Sequence, residues 1–167
     1  MALRFRGEWT HKVDAKGRVS VPAPFRRVLE AGAPGWQSGD PVPFVVVKNQ
    51  DSQPCLNVYS VAEIELIDDE IYALPRFTEE RDRIARRLAS GSANLTLDEN
   101  GRFGLTAEMR EKTGIGDQAV FSGMVERFQI WSPEGFEAVS SGAMPSEPDP
   151  ENLFELIRAA KAKYNVQ

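Results

Sequence analysis

Two short stretches carry residue types that could do chemistry, and each is a copy of the other. Val13 to Phe25 reads Val-Asp-Ala-Lys-Gly-Arg-Val-Ser-Val-Pro-Ala-Pro-Phe, and Leu97 to Met109 reads Leu-Asp-Glu-Asn-Gly-Arg-Phe-Gly-Leu-Thr-Ala-Glu-Met. Asp14 matches Asp98, Gly17 matches Gly101 and Arg18 matches Arg102, with Arg26 and Arg110 following at one spacing. Two aspartates related by duplication could share proton transfer. Each has its own arginine four residues on, which favours the ionised carboxylate and keeps its pKa low. That suits a structural or binding role better than acid–base chemistry. The chain has no Gly-x-Ser-x-Gly, no phosphate-binding glycine-rich loop and no His/Cys metal spacing. The expectation is no enzyme, no metal and no cofactor.

The elements around these residues follow from local pattern. Asp-x-x-Gly suits a type I turn, with Asp accepting local backbone N–H groups and Gly taking a positive φ. Val13, Val19 and Val21 alternate about the first turn, as Leu95, Leu97, Phe103 and Leu105 do about the second, so each turn caps a half-buried hairpin. The tip faces solvent and carries Lys16 and Arg18. Arg18 has two readings here: it braces Asp14 and the turn, or it reaches a partner.

A short helix follows each hairpin, with Phe25, Val28 and Leu29 forming one apolar face before Gly32, and Thr106 and Gly114 bounding the second. Residues 1–12 read as an entry strand. Phe44–Val47 and Leu56–Tyr59 read as strands, matched by Val120-Phe121 and Phe128–Trp131. Ser60 to Glu63 reads as a capping box, and Ser132-Pro133 opens the matching helix. The copies are offset by 84 residues at the hairpins and 72 later, so copy one holds about twelve extra residues, expected in the loops at 33–43 and 49–54. A helical connector is broken at Pro75 and recapped at Thr78, and its arginines 81, 83, 86 and 87 read as a solvated face. Ser140 to Asp149 reads as a linker, after which Pro150 opens an amphipathic helix. That helix must pack on its own body or on a neighbouring subunit.

Composition sets the bounds. The 167 residues are 41% hydrophobic, enough for one compact domain or two small ones. No run of 18 apolar residues is present, so no membrane span is expected, and the N-terminus has no apolar signal-peptide core. Cys55 stands alone, which excludes an intramolecular disulfide, and a cytosolic protein is expected. The net charge is −5, but residues 1–30 hold seven Lys or Arg against three carboxylates, leaving +4 there and −9 over the rest. Distribution matters more than the sum for an anionic partner.

Two Asp-x-x-Gly-Arg blocks, each followed by strand and helix, resemble the MraZ family of bacterial transcription regulators, within the wider group of AbrB-type swapped-hairpin DNA-binding proteins. The match runs from about Phe5 to Phe136 through Arg6-Gly7, Asp14 to Arg18, Pro22, Phe25-Arg26 and Asp98 to Arg102. The resemblance implies a β-rich α+β chain: a double-split β-barrel of two tandem swapped-hairpin repeats with flanking helices. The repeats would span 5–73 and 93–140, with a helical connector at 74–92 and a linker and amphipathic helix at 141–167. It further implies a cytoplasmic, nucleoid-associated homo-oligomeric ring, with no membrane or small-molecule partner. The ring would bind direct repeats in double-stranded promoter DNA and most often repress the division and cell-wall operon that contains its own gene. The DNA-binding residues would be Asp14, Arg18, Asp98 and Arg102 of the family motif. Lys16 joins Arg18 at the DNA surface, with Lys12, Lys16 and Arg4 gripping phosphates. Copy two departs from the pattern at Asn100 and Thr106. An oligomeric scaffold that binds protein rather than DNA is the rival reading, favoured by the tail helix and the acidic remainder. An antitoxin of the same fold is a third, against which the full-length duplication argues.

Overall fold

The computed structural model describes residues 3–48, 50–143 and 149–167. Copy one contributes β1 (Glu8–Lys12), β2 (Arg18–Ser20), α1 (Ala23–Ala31), β3 (Val42–Val47), β4 (Cys55–Tyr59) and α2 (Val61–Tyr72). Then come α3 (Glu79–Ala85) and a π-helical turn over Arg86–Ser90. Copy two supplies β5 (Ser92–Leu97), β6 (Arg102–Gly104), α4 (Ala107–Thr113), β7 (Gln118–Gly123), β8 (Phe128–Trp131) and α5 (Pro133–Ser140), and α6 (Leu153–Lys163) ends the chain. Side-chain oxygens of Ser60, Thr78, Thr106 and Ser132 each accept the N–H three residues on, satisfying a donor the first helical turn leaves open. Only half of the expected capping box forms. Ser60 takes the Glu63 N–H, but the Glu63 carboxylate makes no return bond among the described residues. The last helix begins at Leu153, capped by Asn152, three residues later than Pro150 suggested.

The hairpin ladders expected within each copy are replaced by ladders between copies. Among the described residues, backbone pairing between β1 and β2 is reduced to the single Val13–Val19 bridge beside them. Instead β1 pairs with β7, β5 with β3, and β2 with β6, all antiparallel. The result is one six-stranded sheet of order β1-β7-β8-β4-β3-β5 and a separate β2–β6 ribbon, not a closed ladder. Exchanging the copies reverses the sheet order and leaves it unchanged, so the architecture has a pseudo-two-fold axis. Register locates that axis: Val19 lies opposite its equivalent Phe103, and Asn57 opposite its equivalent Gln129. Equivalent residues lie 84 positions apart at Val19/Phe103, 75 at Val45/Val120 and 72 at Asn57/Gln129. Copy one thus carries nine extra residues before β3 and three between β3 and β4. Asn49 of the second loop, and residues 144–148 of the expected linker, lie outside the described residues.

Alternation along the strands divides the apolar residues between two faces. Phe44, Val46, Leu56, Val58, Phe121, Phe128 and Ile130 point toward the ribbon and meet Val19, Val21, Phe25 and Phe103. Phe25 stacks on Phe128 at 4.9 Å and meets Phe5 edge-on at 5.5 Å. On the opposite face, Val47 and Tyr59 pack with Ile67, Ile71, Ile84, Leu88, Leu153, Ile157 and Ala160. The tail helix therefore lies on its own body. Its entry is fixed by Leu153 N–H donating to the Gln50 carbonyl at 2.8 Å, and its flank pairs Lys163 with Glu80 and Lys161 with Glu70. Among the described residues no helix is long and apolar enough to cross a membrane.

Ile157 is 3% exposed at the centre of that contact. Ile157→Ala should cost about 2–4 kcal/mol through lost burial and the cavity left behind. Arg158→Ala, on the exposed side of the same helix, should stay within about 0.5 kcal/mol. Urea denaturation of both variants checks the pair.

Candidate nucleic-acid interface

The two turns are built alike. Asp14 Oδ1 accepts the backbone N–H groups of Lys16 and Arg18, both at 2.9 Å, while Oδ2 takes Arg18 Nε at 3.0 Å. Gly17 N–H closes the turn on the Asp14 carbonyl at 2.9 Å. Asp98 repeats this with Asn100 N–H at 2.8 Å and Arg102 N–H at 2.9 Å, though its Oδ2 lies 3.4 Å from Arg102 Nε. The backbone N–H of the turn arginine is the main influence holding each carboxyl below its ordinary pKa. Both aspartates are thus committed to the turns. Arg18 braces its turn through Nε, and its terminal amino groups have no partner among the described residues.

Pairing β2 with β6 sets four of these positions on one surface. Arg18 lies opposite Gly104, and Ser20 opposite Arg102. Residues directly opposite, and residues two apart, share a face of a two-stranded ribbon. Val19 and Phe103 fill the inner face, at 1% and 5% exposure, so Arg18, Ser20, Arg102 and Gly104 form the outer one. One arginine from each repeat is therefore displayed on a single ribbon, roughly 8 Å apart by strand spacing.

The turns are locked together across the copies. Leu105 N–H donates to the Gly17 carbonyl at 2.8 Å, and Val21 N–H to the Gly101 carbonyl at 2.9 Å. Arg26 of copy one lies over Gly101, and Arg110 of copy two lies over Gly17. Each tip thus gathers its own arginine and one from the other repeat. Arg26 and Arg110 were absent from the site expected from sequence, although their shared spacing of eight residues after Arg18 and Arg102 was the signal. Lys16 is exposed on tip one, and Lys12 ends β1 just before it. Arg4 is elsewhere. It precedes the Phe5–Val125 bridge at the opposite end of the β1–β7 ladder from Lys12. His11, the lone histidine, has Nδ1 2.6 Å from the Ser20 carbonyl and holds β1 against β2. Among the described residues no cluster of His, Cys, Asp and Glu could hold a metal ion. Burial pushes the Cys55 thiol up to about 12, so it is inert.

The profile of the MraZ protein family, whose description adds a likeness to antitoxins, matches residues 4–87 and again residues 88–157. The chain belongs to the MraZ family. It is 45% identical over 164 residues to a protein of Ruegeria sp. (strain TM1040), covering 96% of this chain and 98% of that one. Identity to a Ruegeria pomeroyi protein is 42%, covering 93% and 97%, and to a Pseudomonas fluorescens protein 33%, covering 86% and 95%. All three bear the name transcriptional regulator MraZ. The two MraZ matches divide the chain in sequence, whereas the sheet and ribbon interleave them in space.

Gly101 has φ +72°, and an added Cβ would collide with Arg26. Gly101→Ala should destabilise by at least about 1–2 kcal/mol, the cost of a left-handed L-residue. Gly104→Ala, with nothing within 4 Å and no positive φ, should stay within about 0.5 kcal/mol in the same urea experiment. Acid should act at the turns with a defined sign. Both aspartates have folded pKa values below 3.8, so their contribution to stability is complete above that value and fades as pH falls through the depressed values. Carboxyl NMR titration should place both midpoints below 3.8, and Asp14→Asn with Asp98→Asn should flatten this part of the acid limb.

Proposed function

We propose that this chain is a transcription regulator that binds double-stranded promoter DNA through the outer face of the β2–β6 ribbon. The observation that carries the reading is the pairing of Arg18 and Arg102, one per repeat, on one solvent-facing ribbon. The major groove of B-DNA admits a two-stranded ribbon, and arginine reaches guanine O6 and N7 bidentately there. Asp14 and Asp98 act by orienting the arginines. Lys16 and Lys12 are positioned beside tip one to grip phosphates, which fixes register without reading sequence. Arg4 sits apart and is left to another role. Five cations at the tips (Lys16, Arg18, Arg26, Arg102, Arg110) face three carboxylates (Asp14, Asp98, Glu99), a local excess of positive charge in a chain of net −5.

The fold reading that accompanies this is a double-split β-barrel, with the ribbon as the short wall and the six-stranded sheet as the long one. The splits fall between β1 and β2 and between β5 and β6. Assembly into a ring would present the ribbon several times, so direct repeats in DNA turn later contacts into intramolecular ones. The regulated target is the division and cell-wall operon that includes the chain's own gene, with repression as the sign. The setting is the cytoplasm, at the nucleoid, and no cofactor or small-molecule substrate is required. The family membership and the relatives' names support this reading. A protein-binding scaffold is the rival reading; the acidic remainder and exposed apolar residues such as Leu66, Tyr72 and Phe77 favour it, while the tail helix packs on its own body.

Fluorescence anisotropy with DNA from upstream of the chain's own gene, against scrambled DNA at two salt concentrations, is the test. Native DNA should be preferred, with a log–log salt slope of about −0.9 per phosphate neutralised. Arg18→Ala should lose about 1–3 kcal/mol on native DNA and little on scrambled DNA. Lys16→Ala should weaken both equally, and Glu99→Lys should strengthen both. Unchanged binding by a folded Arg18→Ala removes the ribbon as the site. Equal weak binding to both DNAs moves the reading to the scaffold.

A further inference from the structure

The two ends of the ribbon match in backbone and differ in side chains. Leu105 N–H reaches the Gly17 carbonyl, so tip one closes the end that holds Arg18 and Gly104. Val21 N–H reaches the Gly101 carbonyl, so tip two closes the end that holds Arg102 and Ser20. Each arginine has a small residue directly across the ribbon, glycine for Arg18 and serine for Arg102.

The fold does not require Gly104. Its φ is not left-handed, an added Cβ would meet nothing within 4 Å, and the register runs without a bulge from the Arg18–Gly104 pair to the Ser20–Arg102 pair. Glycine weakens a strand, and where it occurs in one it marks a bulge, a tight bend or a close approach by a ligand. With neither a bulge nor a left-handed φ, the reason that remains for this solvent-facing glycine is close approach from outside. The clearance lies beside Arg18. At the other end the equivalent space holds the Ser20 side chain.

Two further differences favour the same end. Exposed Lys16 stands on tip one, whereas tip two carries exposed Glu99 and Asn100, so a polyanion is drawn to the first and repelled by the second. The arginines are also held differently. Arg18 Nε donates to Asp14 Oδ2 at 3.0 Å, and 41% of the arginine side chain is exposed. Arg102 Nε is buried without a hydrogen bond among the described residues, 3.4 Å from Asp98 Oδ2, and its side chain is 31% exposed. Bidentate reading of a base edge needs a guanidinium fixed in its plane, whereas a phosphate contact carries no sequence information and is less exacting.

We propose that the two arginines do different work on DNA. The duplex seats closer at the Gly104 end, where Arg18 reads a guanine edge in the major groove, while Arg102 at the Ser20 end contacts only the phosphate backbone. This rests on the ribbon as the DNA site, and it makes Gly104 a determinant of specificity through the room it leaves.

Anisotropy on the full chain with the native and scrambled DNAs separates the roles through the ratio of the two affinities. Arg18→Ala should lower that ratio roughly 5–150-fold. Gly104→Thr should lower it at least about fivefold. Far-UV circular dichroism and urea stability should hold in that variant, since the added side chain meets nothing in the chain. Should it lose its spectrum, Gly104→Ser takes its place. Arg102→Ala should weaken both DNAs by one factor and reduce the log–log salt slope by about 0.9, the share of a single phosphate. Arg102→Lys should recover most of that loss, whereas Arg18→Lys should not regain the ratio, because an ammonium cannot replace a bidentate guanidinium. If Arg102→Ala lowers the ratio as far as Arg18→Ala, or Gly104→Thr leaves it at the wild-type value, the division of roles fails while the effect of Arg18→Ala keeps the ribbon as the site. If neither arginine variant changes binding, the ribbon reading falls and the division with it.

Discussion

Two backbone hydrogen bonds govern this molecule: Leu105 N–H to the Gly17 carbonyl and Val21 N–H to the Gly101 carbonyl. Each hands the strand leaving one turn to the turn of the other repeat. The remaining ladders follow from that exchange. With β2 committed to β6, β1 is free to join β7 and β5 to join β3. A single repeat would leave β1, β2, β3 and β4 each short of a partner and the aromatic cluster around Phe25 open on one side. Unpaired edges of that kind invite association. Duplication within one chain supplies the missing partner at high effective concentration, which explains why the apolar core belongs to neither repeat alone.

Much of this could be read from residue order. The turns at Asp14 and Asp98, the caps at Ser60, Thr78, Thr106 and Ser132, and the break at Pro75 are local signals that survived into the structure because short-range chemistry decides them. Strand exchange left no mark in the alternation of Val13, Val19 and Val21, since an apolar stripe fits a hairpin within one copy or between two. Only the resemblance to a family pointed to it. The site divides along the same line. The placement of Asp14 and Arg18 across one turn was legible from spacing. The convergence of Arg18 with Arg102, and of Arg26 with the opposite turn, depends on register between distant strands. Arg4 looked like part of one basic segment in sequence, but an extended strand carried it to the far end of the ladder.

The second crossing of the pseudo-axis is polar. Asn57 and Gln129 are 1% and 5% exposed and lie opposite one another. Asn57 Oδ1 accepts from Arg127 Nε at 2.8 Å and from Gln129 Nε2 at 3.1 Å, while Gln129 Oε1 accepts from Trp131 Nε1 at 3.1 Å. Buried amides are tolerable when their polar groups are matched. A one-residue slip of β4 against β8 would turn Asn57 into the aromatic core without a partner. The central pair thereby selects one alignment of the two halves from several that apolar packing alone would accept.

The two tips share a backbone but not a charge. Tip one carries Ala15 and Lys16 where tip two carries Glu99 and Asn100, so a symmetric frame ends in an unequal pair of surfaces. Two identical chains around a true axis must present the same face twice, and what they recognise must read alike in both directions. Fusion lifts that requirement, because each half can change without altering its mate. The ribbon consequently has a front and a back, and any linear partner laid along it meets them in a fixed order.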